Sequence, residues 1–199
     1  MSTPTATTGG PTELWLVRHG ETEWSRTGQH TSVTDLELTP DGEAIAARLQ
    51  EPLAEQSFVR VLSSPRRRAR RTAELAGFVD VETDDDLAEW AYGDYEGLTT
   101  PQIHESDPHW SVWTGVTPGG ETRDQVAARL DRVVAAAREV EGRTLVFAHG
   151  HSLRALAARW LGLDVAQGRI FDLDTATVSV LGDDRGTPVV KRWNVPPAL

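Results

Sequence analysis

Two histidines in this chain each close a short apolar run, and each is followed at once by glycine. The first lies in Leu14-Trp15-Leu16-Val17-Arg18-His19-Gly20-Glu21-Thr22, the second in Thr144-Leu145-Val146-Phe147-Ala148-His149-Gly150-His151. A histidine nucleophile needs a neutral ring, with one nitrogen free for the electrophile and the other held by an acceptor. Gly20 lets the backbone turn sharply beside a bound group. Arg18 supplies a planar, permanently charged fork that matches phosphate oxygens. Two imidazoles near an arginine read as a catalytic pair acting on an anion. Taken alone, Arg-His-Gly equally describes a buried structural histidine, so the weight falls on what accompanies it.

Three further segments carry candidate chemistry. In Ser63-Ser64-Pro65-Arg66-Arg67-Arg68-Ala69-Arg70-Arg71-Thr72-Ala73 five arginines crowd one helix start. Successive helical residues are rotated by about 100°, so at most one or two of these side chains can enter a pocket and the rest are surface. In Leu87-Ala88-Glu89-Trp90-Ala91-Tyr92-Gly93-Asp94-Tyr95-Glu96-Gly97 a carboxyl beside aromatic rings could have its pKa raised by desolvation and protonate a departing alkoxide. Glu89, Asp94 and Glu96 all qualify by composition. His149-Gly150-His151 could offer two metal ligands, but no acidic ligand motif stands nearby, so no metal is expected.

The surrounding elements must hold these groups together. Strand signals alternate with helix signals, which predicts an α/β domain with a mostly parallel sheet, and ligands bind at the carboxyl ends of such strands. Strands are expected at 14–17, 58–62, 144–148, 177–181 and 189–193. Helices are expected from the Thr39-Pro40 cap, through the arginine run to Leu75, from Glu121 onward, and after His149, where Leu153, Leu156, Ala157, Trp160 and Leu161 form one apolar stripe. Residues 76–122 read as an irregular excursion whose Trp90, Tyr92, Tyr95, Trp110 and Trp113 either wall a pocket or pack a core. The 199 residues fit one domain spanning 13–199 behind a flexible polar tail at 1–12. A formal charge of −10 opposes nucleic acid or an anionic membrane as partner. The absence of cysteine removes thiolate chemistry and fits a cytoplasmic protein. The sequence leaves a homo-oligomer open.

Together these segments resemble the histidine phosphatase superfamily, the phosphoglycerate mutase-like or acid phosphatase family. The resemblance rests on Arg18-His19-Gly20-Glu21-Thr22, Ser64-Pro65-x-x-Arg68-Ala69-x-x-Thr72-Ala73, Leu87-x-Glu89 with Gly93 and Glu96-Gly97, Pro118-x-Gly120-Glu121-Thr122, and His149-Gly150, in the family's order. It implies a three-layer sandwich with helices on both faces of the sheet and no cofactor. It also implies roles: His19 as the phosphorylated nucleophile, Glu89 as proton donor, and Arg18, Arg68 and a protonated His149 around the phosphoryl oxygens. Ser25, Thr31, Ser32, Tyr92, Gly150 and His151 are the expected further contacts to phosphate or substrate. Ser25 replaces a common asparagine and Ser32 a common glycine, and both hydroxyls are expected to reach substrate oxygen. Thr100 stands near a lysine position of the mutases, and Thr114-Gly115 follows Trp113 where mutases carry an arginine pair. Hydrolysis of a small phosphorylated metabolite is therefore expected over mutase activity, with a non-catalytic phospho-ligand module as the further alternative.

Overall fold

The computed structural model describes residues 11–197, so most of the expected tail lies outside the described residues. Of that segment, Thr12 is tied down, its hydroxyl donating to Val140 O. Six strands form one sheet in the order β3-β2-β4-β1-β5-β6: β1 Glu13–Arg18, β2 Arg60–Ser63, β3 Glu82–Thr83, β4 Arg143–Ala148, β5 Val178–Asp184 and β6 Thr187–Val195. The first four are mutually parallel, whereas β5 runs antiparallel to β1 and β6 antiparallel to β5. The helices are α1 Glu23–Thr27, α2 Pro40–Ala47, α3 Gln50–Ala54, α4 Arg67–Leu75, α5 Thr100–His104, α6 Arg123–Arg138 and α7 Gly150–Trp160.

The strands are apolar on both faces because both faces are covered. Along β1, Leu14 and Leu16 pack with α6, α7 and the excursion, while Trp15 and Val17 pack with Leu49, Leu53 and the α4 alanines. β4 divides likewise, with Val146 and Ala148 on one side and Leu145 and Phe147 on the other. The result is the expected three-layer sandwich. Local signals start the helices: Thr39 caps α2 with Pro40 in its first turn, and Thr122 closes a capping box with Gln125 on α6.

Two departures have physical causes. β5 and β6 are longer than expected because Arg185 and Gly186, at φ 53° and 85°, make a two-residue turn of the type that matches strand twist. The excursion contains short ordered pieces, β3 and α5, rather than none. It crosses back on itself at Gly93 and Gly120: a Cβ on Gly120 would lie 2.2 Å from Ala91 O, and one on Gly93 2.1 Å from Pro118 O. Only glycine permits those backbones to touch.

Candidate active site

The parallel register brings the carboxyl ends of β1, β4 and β2 level, with Arg18 opposite Ala148 and Ser63 opposite Phe147. The next residue of each strand enters the site. His19 N donates to Ala148 O and Ser64 N to Phe147 O, both at 2.9 Å, so the ladder is extended under His19, His149 and Ser64. The rings of His19 and His149 stand 5.2 Å apart.

His19 Nδ1 lies 2.7 Å from Gly20 O, a pairing in which Nδ1–H donates and Nε2 is left as the free lone pair. Burial, with Arg68 and Arg18 nearby, holds the His19 pKa well below its ordinary value, so the ring is neutral. Gly20 N donates to Thr72 Oγ1, which donates to Arg68 O, tying the nucleophile's turn to α4.

Arg68 is completely buried, unlike its neighbours. Its Nε donates to His149 Nδ1 at 3.1 Å, Nη1 to Thr34 O, and Nη2 to Thr31 O and Ser32 O. One of its five N–H groups has no acceptor among the described residues. Arg67 instead pairs with Glu37, and Arg71 with Glu43 and Glu74. Arg18 donates from Nη1 to Leu173 O, while its buried Nε has no partner among the described residues. Gly150 makes room for that guanidinium, since a Cβ there would lie 3.3 Å from Nε.

Glu89 reaches the same space from the excursion. Its Oε1 accepts from Trp90 N and Ser152 N, its Oε2 from His151 N at 3.0 Å, so it caps the open amino end of α7. Those bonds favour the carboxylate, but burial outweighs them and raises its pKa. Asp94 and Glu96, indistinguishable from Glu89 by composition, are placed elsewhere. Glu96 accepts from the backbone N–H groups of Ser32 and Thr34 and from the Ser32 hydroxyl, holding a loop.

A cavity of about 280 Å³ opens above His19, lined also by Arg18, Glu89, Ser25, Thr31, Tyr92, Gly150 and His151. Gln29, His30, Thr22, Arg154 and Leu173 also stand on its wall and were not among the expected contacts, although Thr22 belongs to the motif around His19. Tyr92 OH meets His151 Nδ1 at 2.6 Å. Trp90, Trp110 and Trp113 are buried in the main core, so Tyr92 is the aromatic among the five that faces the cavity.

Three expectations need correction. The Ser32 hydroxyl is spent on Glu96 and does not line the cavity. Ser25 lines it, but its hydroxyl donates to Thr22 O and accepts from Thr22 N in the cap of α1, leaving no proton for a substrate oxygen. His149 is not protonated: its Nδ1 must accept from Arg68, and burial beside that arginine drives its pKa well below the ordinary value. The neutral ring then donates Nε2–H to Ser64 Oγ at 2.7 Å. His149 and His151 turn to different partners, and no group of three metal-ligating side chains occurs among the described residues. No helix of the described residues is long and apolar enough to cross a membrane.

Comparison with known proteins places this geometry in context. A family model described as "Histidine phosphatase superfamily (branch 1)" matches residues 14–196. An acid phosphatase of Mycobacterium tuberculosis is 46% identical over 177 residues, covering 87% of each chain. A sedoheptulose 1,7-bisphosphatase of Saccharomyces cerevisiae is 40% identical over 183 residues, covering 75% of this chain and 68% of its own. The solved structure of a Mycobacterium tuberculosis open reading frame product superimposes with a TM-score of 0.90 at 42% identity, covering 94% of this chain and 98% of that one.

Proposed function

This chain belongs to the histidine phosphatase superfamily and is a phosphatase, and from that premise we propose that it hydrolyses small phosphorylated metabolites, sugar phosphates above all, through a phosphohistidine on His19. The observation that carries the reading is the neutral His19 ring, tethered through Nδ1 to Gly20 O with Nε2 free. Nε2 attacks phosphorus in line, the bond to the leaving oxygen breaks, and protonated Glu89 gives that oxygen its proton. Water then attacks the phosphohistidine, the P–N bond breaks, and Glu89 takes the water's proton.

The unpartnered Nε of Arg18, on the cavity wall, supports its assignment to the phosphoryl oxygens, and Arg68, behind that wall, is assigned with it by the charge it brings beside His19. His149, its Nδ1 accepting from Arg68 and its Nε2–H given to Ser64 Oγ, is the rest on which Arg68 is aligned. No step calls on a metal ion. The cavity's polar wall of Gln29, His30 and Thr100 supports a small polar substrate such as a phosphorylated sugar. Arg154 on that wall bonds only Gly168 O and Arg169 O among the described residues, which supports a substrate with a further polar or anionic group.

The test is direct. Brief exposure to labelled substrate, with a chelator present throughout, should yield an acid-labile, base-stable phosphoenzyme in the wild type. His19→Ala should give none and show no turnover while remaining folded. Normal labelling of that variant would move the nucleophile elsewhere, and loss of wild-type labelling with the chelator would bring a metal into the reaction.

A further inference from the structure

Glu89 is held by its carboxyl at α7, but its own backbone lies outside any strand or helix, just after a single 3-10 turn at Asp85–Leu87. The fixing comes from α6. Arg129 is 7% exposed and forms a two-pronged pair with Glu121, Nε to Oε1 at 2.8 Å and Nη2 to Oε2 at 3.0 Å. Its Nη1 donates to Asp86 O at 2.7 Å and to Ala88 O at 2.9 Å. On the other flank of Glu89, Ala91 N donates to Glu121 Oε2 at 2.9 Å, Glu121 N donates to Ala91 O, and Trp90 Nε1 donates to Glu121 O. The pair therefore grips the chain immediately before and after the proton donor. Neither side chain lines the cavity.

We infer that the Arg129–Glu121 pair is a positioning device for the general acid, fixing the distance from Glu89 to the leaving oxygen. Replacing a largely buried ion pair by apolar groups often leaves stability unchanged, so burial of this one is not explained by stability alone. Every acceptor it engages on the segment belongs to the backbone around Glu89. A lysine cannot reproduce the fork, because it offers a single point of charge. A displacement of about 1 Å at a reacting group costs up to about a hundredfold in rate.

The inference rests on Glu89 being the acid, and the leaving group separates the two ideas. A dinitrophenolate departs without a proton, whereas an alkoxide does not. We would measure kcat/KM, which reports phosphoryl transfer to His19 and not the later hydrolysis of the phosphohistidine, for wild type, Arg129→Lys, Glu121→Gln, Glu89→Gln and Arg132→Ala on dinitrophenyl phosphate and on an alkyl phosphate. Folding would be checked by melting. Arg132 pairs with Asp86 on the exposed outer side of the same helix and serves as the control. Arg129→Lys should lose about 10- to 100-fold in kcat/KM on the alkyl phosphate, with kcat/KM on the dinitrophenyl phosphate changed less than about threefold. Glu121→Gln should show the same selectivity and gives the answer if Arg129→Lys does not fold. Equal losses on both substrates, or none, in a folded variant would overturn the positioning role while a selective Glu89→Gln left the acid in place. An unselective Glu89→Gln would overturn both.

Discussion

Arg68 differs from Arg67 and Arg70 in direction rather than in chemistry. The helix sends it inward, where four of its N–H groups order Thr31, Ser32, Thr34 and His149 and the fifth is left over. A charged hydrogen bond to a transferring group in a desolvated site is worth on the order of 2–4 kcal/mol, about 10²–10³ in rate. Arg68→Ala is therefore expected to lower kcat/KM by about two to three orders of magnitude, and to lower Tm as well, because three carbonyls lose their donor. Arg67→Ala and Arg70→Ala should each change kcat/KM less than about tenfold, since exposed charges contribute little. Kinetics of the three variants on one substrate decide the matter. Equal losses would mean that a diffuse basic field draws the anion in. The same contrast explains what sequence reading could not resolve at Ser25 and Ser32. Both are hydroxyls near phosphate-binding segments, but one is consumed within its own turn and the other by a carboxylate 64 residues away.

At the scale of elements, the turn after β1 rests on α2 backbone to backbone. A Cβ on Gly42 would lie 2.3 Å from Glu21 O, and one on Gly20 would lie 2.7 Å from Gly42 O. In an ordinary helix interior Gly→Ala stabilises by about 1 kcal/mol. Here the sign should reverse: Gly42→Ala is expected to destabilise by about 1–3 kcal/mol and to reduce activity, by pushing the His19 turn away from Thr72. Denaturant unfolding with a parallel activity assay measures both, and a gain in stability would refute the close approach. What was legible in the sequence follows from period and position. Alternating strand and helix signals predicted the mostly parallel sheet, the family resemblance implied its helices on both faces, and residues directly after β1 and β4 were bound to converge once those strands paired. The longer hairpin was missed because a left-handed Arg185 is atypical. The grip of Arg129 on Asp86 and Ala88 leaves no mark on either segment's local pattern, since its acceptors are backbone carbonyls.

Over the whole molecule, a chain of net charge −10 keeps its anion site through a few buried cations, and surrounds them with imidazoles kept neutral. Burial leads in lowering the pKa of His19, His149 and His151 well below 6.5, and of His30 to about 4. Once unfolded, each would take up a proton near 6.5. Below that pH the unfolded chain binds more protons than the native one, so stability falls as pH falls. Glu89, its pKa raised by burial, works in the opposite direction, gaining its proton in the native state before the unfolded one. Four imidazoles outweigh one carboxyl. Melting between pH about 7 and about 5 should therefore show a falling Tm, and a constant or rising Tm would show that these rings carry protons in the native state. The strand order has a consequence in time as well. Among the described residues β1 pairs only with β4 and β5, and β2 reaches β1 only through β4. At a synthesis rate of about 5–20 residues per second, β1 waits on the order of ten seconds for its first neighbour to leave the ribosome. Until then it is a strand with both edges unpaired and a nucleophile without a site. Every nascent chain short of β4 is thus chemically silent, and phosphatase activity begins only when the keystone of the sheet arrives.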